Sequence, residues 1–144
     1  MAEDPRAVRL DEFVAHPPAK VWRALTEPEL MARWLMPTTG FRLEVGQRFT
    51  FTTEPKKAVG FDGIVYCEVL EFEKEKLLRI SWTDRKLADW TVSWRLVPEG
   101  RGTRVFLDHE GFDPDDPTQQ LSRKIMGGGW RRVFGAIAAV AETL

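Results

Sequence analysis

From Trp130 to Leu144 the apolar residues Trp130, Phe134, Ile137, Val140, Ala141 and Leu144 recur at steps of three and four. That spacing is one face of an α-helix. Arg131, Arg132 and Glu142 fall off the stripe, which lets them face water. The same period begins near Thr118 and is carried by Leu121 and Ile125. Gly127, Gly128 and Gly129 lie inside it, and each costs roughly 1 kcal/mol relative to Ala in a helix interior. Either the helix backbone packs closely or kinks there, or the glycines form a hinge that lets the helix lift and admit a ligand.

Upstream the period is mostly two. Val8 to Val14 reads as a strand, ended by Pro17-Pro18. Proline is tolerated in a first helical turn, so a short helix is expected from about Pro18 to Leu25, burying Val21, Trp22 and Leu25. Thr26 is placed to cap a second short helix, with Glu29 as its capping-box partner. Leu30, Met31, Trp34 and Leu35 give that helix its stripe, and Pro37 stops it. Phe41, Leu43 and Val45 alternate with polar residues, Gly46-Gln47 turns the chain, and Phe49 and Phe51 sit on a return strand. Glu54 to Lys57 is a polar loop. Ile64 to Phe72 is a long strand, apolar on both faces in parts, so its register stays open. After a charged turn from Glu73 to Lys76, Leu78, Ile80 and Trp82 point one way. Trp90, Val92, Trp94 and Leu96 form the cleanest alternation, and Val105, Leu107 and His109 share a face of the last strand.

Strands in a run, bracketed by helices, indicate an α+β chain. The expected architecture is a curved antiparallel sheet of six to seven strands wrapped around a long C-terminal helix. Two short helices follow the first strand. At 144 residues this is one domain, residues 1–144, with one sizeable core.

Composition adds an aromatic load: six Trp and nine Phe against one Tyr. Such residues fill a core or line a pocket. The net charge of -1 gives no reason to expect nucleic acid or an anionic membrane as partner. Cys67 is the only cysteine and points to a reducing compartment. The region of Glu3, Asp4 and Arg6 lacks a signal-peptide layout, and no apolar run reaches the roughly 18 residues of a membrane span. The expected location is cytoplasmic, without membrane insertion.

Four stretches carry a family resemblance. His16 to Leu25 contains a proline pair followed by Val21-Trp22. Pro28 to Pro37 ends in Trp34-Leu35-Met36-Pro37, with Leu35 where a second Trp is common. Asp108-His109-Glu110-Gly111-Phe112 closes the last strand, and Gly129-Trp130 to Leu144 forms the final helix. In this order they resemble the START-like superfamily, also called SRPBCC or helix-grip. Within it the chain is most similar to the family related to the C-terminal domain of the activator of the 90-kDa heat-shock chaperone ATPase. The resemblance covers nearly the whole chain and implies a cavity between sheet and long helix. It is weak for function, because this fold hosts ligand carriers, cyclases, lyases and co-chaperones. The chaperone-activator role is not expected to carry over, since the length supplies one domain and the balanced charge offers no docking patch.

Chemistry is sparse. His16, His109 and Cys67 show no metal-ligand spacing, so no metal site is expected. No phosphate-binding glycine motif or nucleophilic triad is evident around Ser81, Ser93 or Cys67, and no cofactor is implied. No catalytic residue is assigned; His109 is the candidate, either a hydrogen-bonded edge-of-core histidine or a polar anchor or base in an apolar pocket. Glu68 and Asp62 rank behind it. The ligand-binding set begins with Phe49, Phe51, Val69, Ile80, Trp82, Trp94 and Leu107, which share the inner sheet face with His109. Trp34 joins them from the second helix, and Met126, Trp130 and Phe134 from the last. The leading expectation is a module binding a small apolar or amphipathic ligand around Trp130. A cyclase- or hydrolase-type enzyme using that pocket and a protein-interaction domain are the alternatives, and a homodimer stays open.

Overall fold

The computed structural model describes residues 4–55, 57–59, 61–83 and 90–144. Glu3 at the N-terminus and Lys56 of the expected polar loop lie outside them. In chain order the elements are β1 (Ala7–Val14), α1 (Pro18–Thr26), α2 (Pro28–Trp34), β2 (Thr38–Thr39) and β3 (Arg48–Thr52). After a single 3-10 turn at Lys57–Val59 come β4 (Ile64–Glu73), β5 (Leu77–Trp82), β6 (Trp90–Glu99), β7 (Gly102–Glu110) and α3 (Pro117–Glu142). The strands form one curved antiparallel sheet in the order β1-β7-β6-β5-β4-β3-β2. The helix α3 packs beside α1 and α2 and against β1. This is the expected α+β helix-grip architecture.

The two-residue period becomes an inner face. Val65, Cys67 and Val69 of β4, Leu78, Ile80 and Trp82 of β5, and Trp90, Val92, Trp94 and Leu96 of β6 are all buried. So are Val105, Leu107 and His109 of β7, and Phe49 and Phe51 of β3. The α3 stripe Trp130, Phe134, Ile137, Val140 and Ala141 meets them. At about 1.5–3 kcal/mol per fully buried large apolar side chain, this shared face is the main source of stability.

The open register of β4 has a physical cause. Its first half pairs with β3, from Arg48↔Glu68 to Thr52↔Ile64, and its second half pairs with β5, from Val69↔Ile80 to Glu73↔Leu77. The register shifts between Val69 and Glu71, so Leu70 is the extra residue of a bulge. A bulge reverses the alternation, which is why the strand looked apolar on both sides.

Two expectations fail. Phe41 to Val45 is not a strand, and β3 instead pairs with the two-residue β2, Thr38 opposite Phe51. Gly40 and Gly46, at φ of 82° and 89°, curl the segment at both ends, a conformation that glycine adopts without steric cost. The Gln47 side-chain amide donates to the Gly40 carbonyl at 2.7 Å and fixes the curl. Phe41 is buried, but Val45 is 67% exposed, so the alternation did not mark an inner face. The capping box is also absent. Thr26 is the last residue of α1, and its hydroxyl donates back to the Trp22 carbonyl at 2.7 Å. Pro28 occupies the first position of α2 and holds Glu27 extended, so the break falls one residue later than the box requires.

The helix α3 runs unbroken through its glycines. Asp116 caps it, its carboxylate accepting from the Thr118 and Gln119 amides, with Pro117 in the first turn as capping rules favour. Close packing does not explain the glycine triplet. A Cβ at Gly127 would make ordinary contact with Val8, one at Gly128 would meet nothing within 4 Å, and one at Gly129 only the Arg132 Nη2 at 3.9 Å.

Candidate functional site: an apolar groove beside the long helix

The helix α2 unwinds at Leu35, whose backbone leaves helical geometry, and Met36 follows before Pro37 resets the chain. This exit sets Leu35 and Met36 against α3. On α3 itself Ile125, Met126, Gly129, Arg132, Val133 and Ala136 form a second stripe, beside the core stripe, at helical spacing. Trp82, at the end of β5, and Trp130 complete the wall. Together they enclose a groove of about 410 Å³, within the ~300–1,000 Å³ range of small-molecule sites. It opens at the surface, where Ile125 is 40% exposed and Arg132 is exposed. Arg132 is its only charged lining residue among those described.

Behind the groove the aromatic residues pack on one another. Trp82 and Trp130 meet edge to face with ring centroids 5.3 Å apart, Trp130 and Trp94 at 5.9 Å, and Trp94 and Trp34 at 6.1 Å. Phe51 tilts against Trp82 at 5.7 Å, and Phe49 continues the row at 5.5 Å. Trp34 donates its indole N–H to the Ala24 carbonyl at 2.6 Å, tying α2 to α1.

Three residues of the expected ligand set therefore line the groove: Trp82, Met126 and Trp130. Trp34, Phe51, Trp94 and His109 pack directly against the two tryptophans or each other. Phe49, Val69, Ile80, Leu107 and Phe134 belong to the buried cluster and do not line the groove. Leu35, Met36, Ile125, Gly129, Arg132, Val133 and Ala136 were missed as lining residues. The signal was present in part, since Ile125, Gly129, Val133 and Ala136 repeat at steps of four, four and three.

His109 is fully buried on β7, opposite Val8 of β1 and Val92 of β6. Its Nδ1 accepts the Trp130 indole N–H at 3.0 Å. That bond assigns the proton to Nε2, and Nε2 has no hydrogen-bond partner. Trp82, Trp90 and Phe112 surround the ring, with centroids at 5.7, 5.5 and 4.8 Å. Desolvation lowers its pKa from 6.5 to about 3, so it stays neutral near pH 7. With Nδ1 occupied and Nε2 sealed among rings, neither nitrogen is placed to take a proton from a molecule in the groove.

The other polar candidates serve structure. The Asp62 carboxylate accepts the Ile64 amide at 3.1 Å in the turn before β4. Glu68 pairs with Arg48 at 3.5 Å across β3 and β4. This pair borders a second concavity, of about 500 Å³, over β3 to β5, with Thr50, Tyr66, Ser81 and Thr83. Burial pushes the Cys67 thiol up, away from thiolate chemistry. Among the described residues no three His, Cys, Asp or Glu side chains converge on a metal position, and no helix is long and apolar enough to cross a membrane.

Solved structures share this fold. Protein MLL2253 from Mesorhizobium loti is 29% identical, with a TM-score of 0.84 over 96% of this chain and 98% of that one. Protein NE0264 from Nitrosomonas europaea is 23% identical, with a TM-score of 0.76 over 99% of both chains. CalU16 from Micromonospora echinospora is 24% identical, with a TM-score of 0.74 over 94% of this chain and 75% of its own. The last two attest the fold alone. No curated protein matches the chain. The family model described as "Activator of Hsp90 ATPase homolog 1-like protein" matches residues 15–142. That span takes in both short helices, the sheet from β2 to β7 and the whole of α3, so the chain belongs to the activator of Hsp90 ATPase homolog 1-like family, on the START-like fold.

Proposed function

We propose that this domain binds a small hydrophobic or amphipathic ligand in the groove between the α2 exit, the end of β5 and α3. The observation that carries the reading is the lining. Leu35, Met36, Met126 and Val133, with two tryptophans, line an open volume of about 410 Å³. Methionine adapts to irregular apolar partners, and Trp supplies flat, rigid contact area. Covering the apolar wall of the groove would gain a ligand on the order of 2 kcal/mol at about 25 cal/mol per Å², before its own buried surface is counted and less the cost of ordering it. No acid or base other than Arg132 reaches the groove among the described lining residues, which favours binding over catalysis.

The test is a plug. Gly129 lines the groove, and a Cβ there has room, so Gly129→Leu fills the site from the helix while raising helix propensity. Calorimetric titration with fatty acids, fatty alcohols and polycyclic aromatics is expected to give saturable one-site binding for at least one class. Gly129→Leu is expected to abolish it with the melting temperature unchanged or raised. Binding that survives the plug, or no saturable binding across the panel, would refute the proposal.

A further inference from the structure

The groove has a chemical polarity that its apolar walls conceal. Arg132 sits one helical turn after Gly129, and its Nη2 lies 3.9 Å from where a Gly129 Cβ would stand. The guanidinium is thus folded back along α3, as long helical side chains do, over a stretch bare of side chain. Among the described residues it makes no ion pair and no hydrogen bond, whereas Arg9, Arg23, Arg48, Arg79 and Arg104 are each held by a carboxylate. No acidic residue lines the groove with it among the described residues.

We infer that the groove selects amphiphiles with a single anionic head, which Arg132 receives at the rim while the apolar body lies along Met36, Met126, Val133 and the two tryptophans. This inference rests on the proposed ligand groove and adds the charge of its ligand. A guanidinium presents several N–H donors in a planar fork and pairs with a carboxylate or sulfate through two parallel bonds. Its stem can cover apolar wall while its head stays at the water boundary, the disposition an amphiphile needs. Gly129 keeps the approach clear, because a larger residue would occupy the space beneath the fork.

The experiment uses four ten-carbon probes: decanoate, decyl sulfate, decanol and decyltrimethylammonium. They are titrated into the parent chain, Arg132→Gln and Arg132→Lys at low and high ionic strength. The parent is expected to bind both anions about fivefold more tightly than decanol, the upper end for an ion pair at an exposed rim. The cation is expected to bind more weakly than decanol. Arg132→Gln should bring the anions down to the affinity that the same variant shows for decanol, and Arg132→Lys should keep part of the preference. Added salt should shrink the anion preference in the parent and in the Lys variant. Decanoate and decyl sulfate separate a carboxylate-specific site from a general anion site, and both outcomes support an anionic head. Equal binding of all four probes by the parent, blocked by Gly129→Leu, would overturn the anion assignment and leave the ligand groove standing. A preference for anions that survives Arg132→Gln would overturn the role of Arg132. Saturable binding of none would overturn both readings.

Discussion

Acid should unfold this protein through His109. The ring is buried and neutral, its pKa held at about 3 by desolvation against 6.5 for a free histidine. No titratable side chain stands among its ring neighbours Trp82, Trp90, Phe112 and Trp130 or its cross-strand partners Val8 and Val92. The folded pKa is depressed, so between about 6.5 and 3 the unfolded chain binds a proton here that the native chain refuses. Stability is complete above the unfolded value and falls as pH drops through the window, at about 1.4 kcal/mol per pH unit. At pH 5 this single site should cost roughly 2 kcal/mol relative to pH 8, a large part of a typical folding free energy of about 5–15 kcal/mol. Urea unfolding followed by far-ultraviolet circular dichroism at half-unit steps from pH 8 to 5 measures it. The comparison is His109→Gln, which keeps an acceptor for the Trp130 N–H but does not titrate. Its stability at pH 8 will be lower through imperfect packing, so the slope with pH is the readout. The parent should lose about 2 kcal/mol over that range, with most of the loss absent in the variant. Equal slopes in the two would refute the reasoning, because they would place the proton uptake elsewhere.

Three further outcomes follow from the backbone. Gly128→Ala should stabilise by about 0.5–1 kcal/mol, because a Cβ there meets nothing within 4 Å; urea midpoints decide it, and a loss of stability would mean the helix needs that glycine. Gly102→Ala should destabilise by about 1–3 kcal/mol, since its Cβ would fall 2.5 Å from the Val14 carbonyl oxygen and 2.6 Å from the Phe13 ring; an unchanged melting temperature would contradict the close β1–β7 approach. Asp116→Ala should cost about 1 kcal/mol by freeing the Thr118 and Gln119 amides, with the melting temperature again the measure.

Period was the legible part of the sequence. Trp90, Val92, Trp94 and Leu96 alternate, and their side chains enter the core as the alternation says; Trp130, Phe134, Ile137 and Val140 do the same on the helix. Where period misled, a local backbone event had intervened. The bulge at Leu70 flipped the pattern of β4, and Gly40 and Gly46 curled a segment that alternated without a sheet neighbour. The aromatic core around His109 was legible as a set but not as a packing, because whether rings fill or line a space depends on distances between strands. The groove was less legible still. It joins Met36 to Val133, residues brought together only by where α2 unwinds against α3. Arg132 was assigned to water by its distance from the core stripe, and the structure adds that the same side chain borders the groove.

The place of β1 in the sheet governs how the chain can be made. It lies at an edge, beside β7, with Ala7 opposite Glu110 and Val14 opposite Thr103. From β3 to β7 each strand pairs with the next in sequence, so that meander can assemble as it leaves the ribosome. By contrast β1, made before its partner, must wait for β7, roughly 5–20 s at ~5–20 residues per second. During that interval Val8 and Val14 lack their cover, and α1 and α2 follow a strand not yet anchored in the sheet. Closing so long a loop is slow by the general relation between contact separation and rate. A nascent chain stalled before Thr103 would present a tryptophan-rich sheet with an open edge, the condition in which strands add to strands of other molecules.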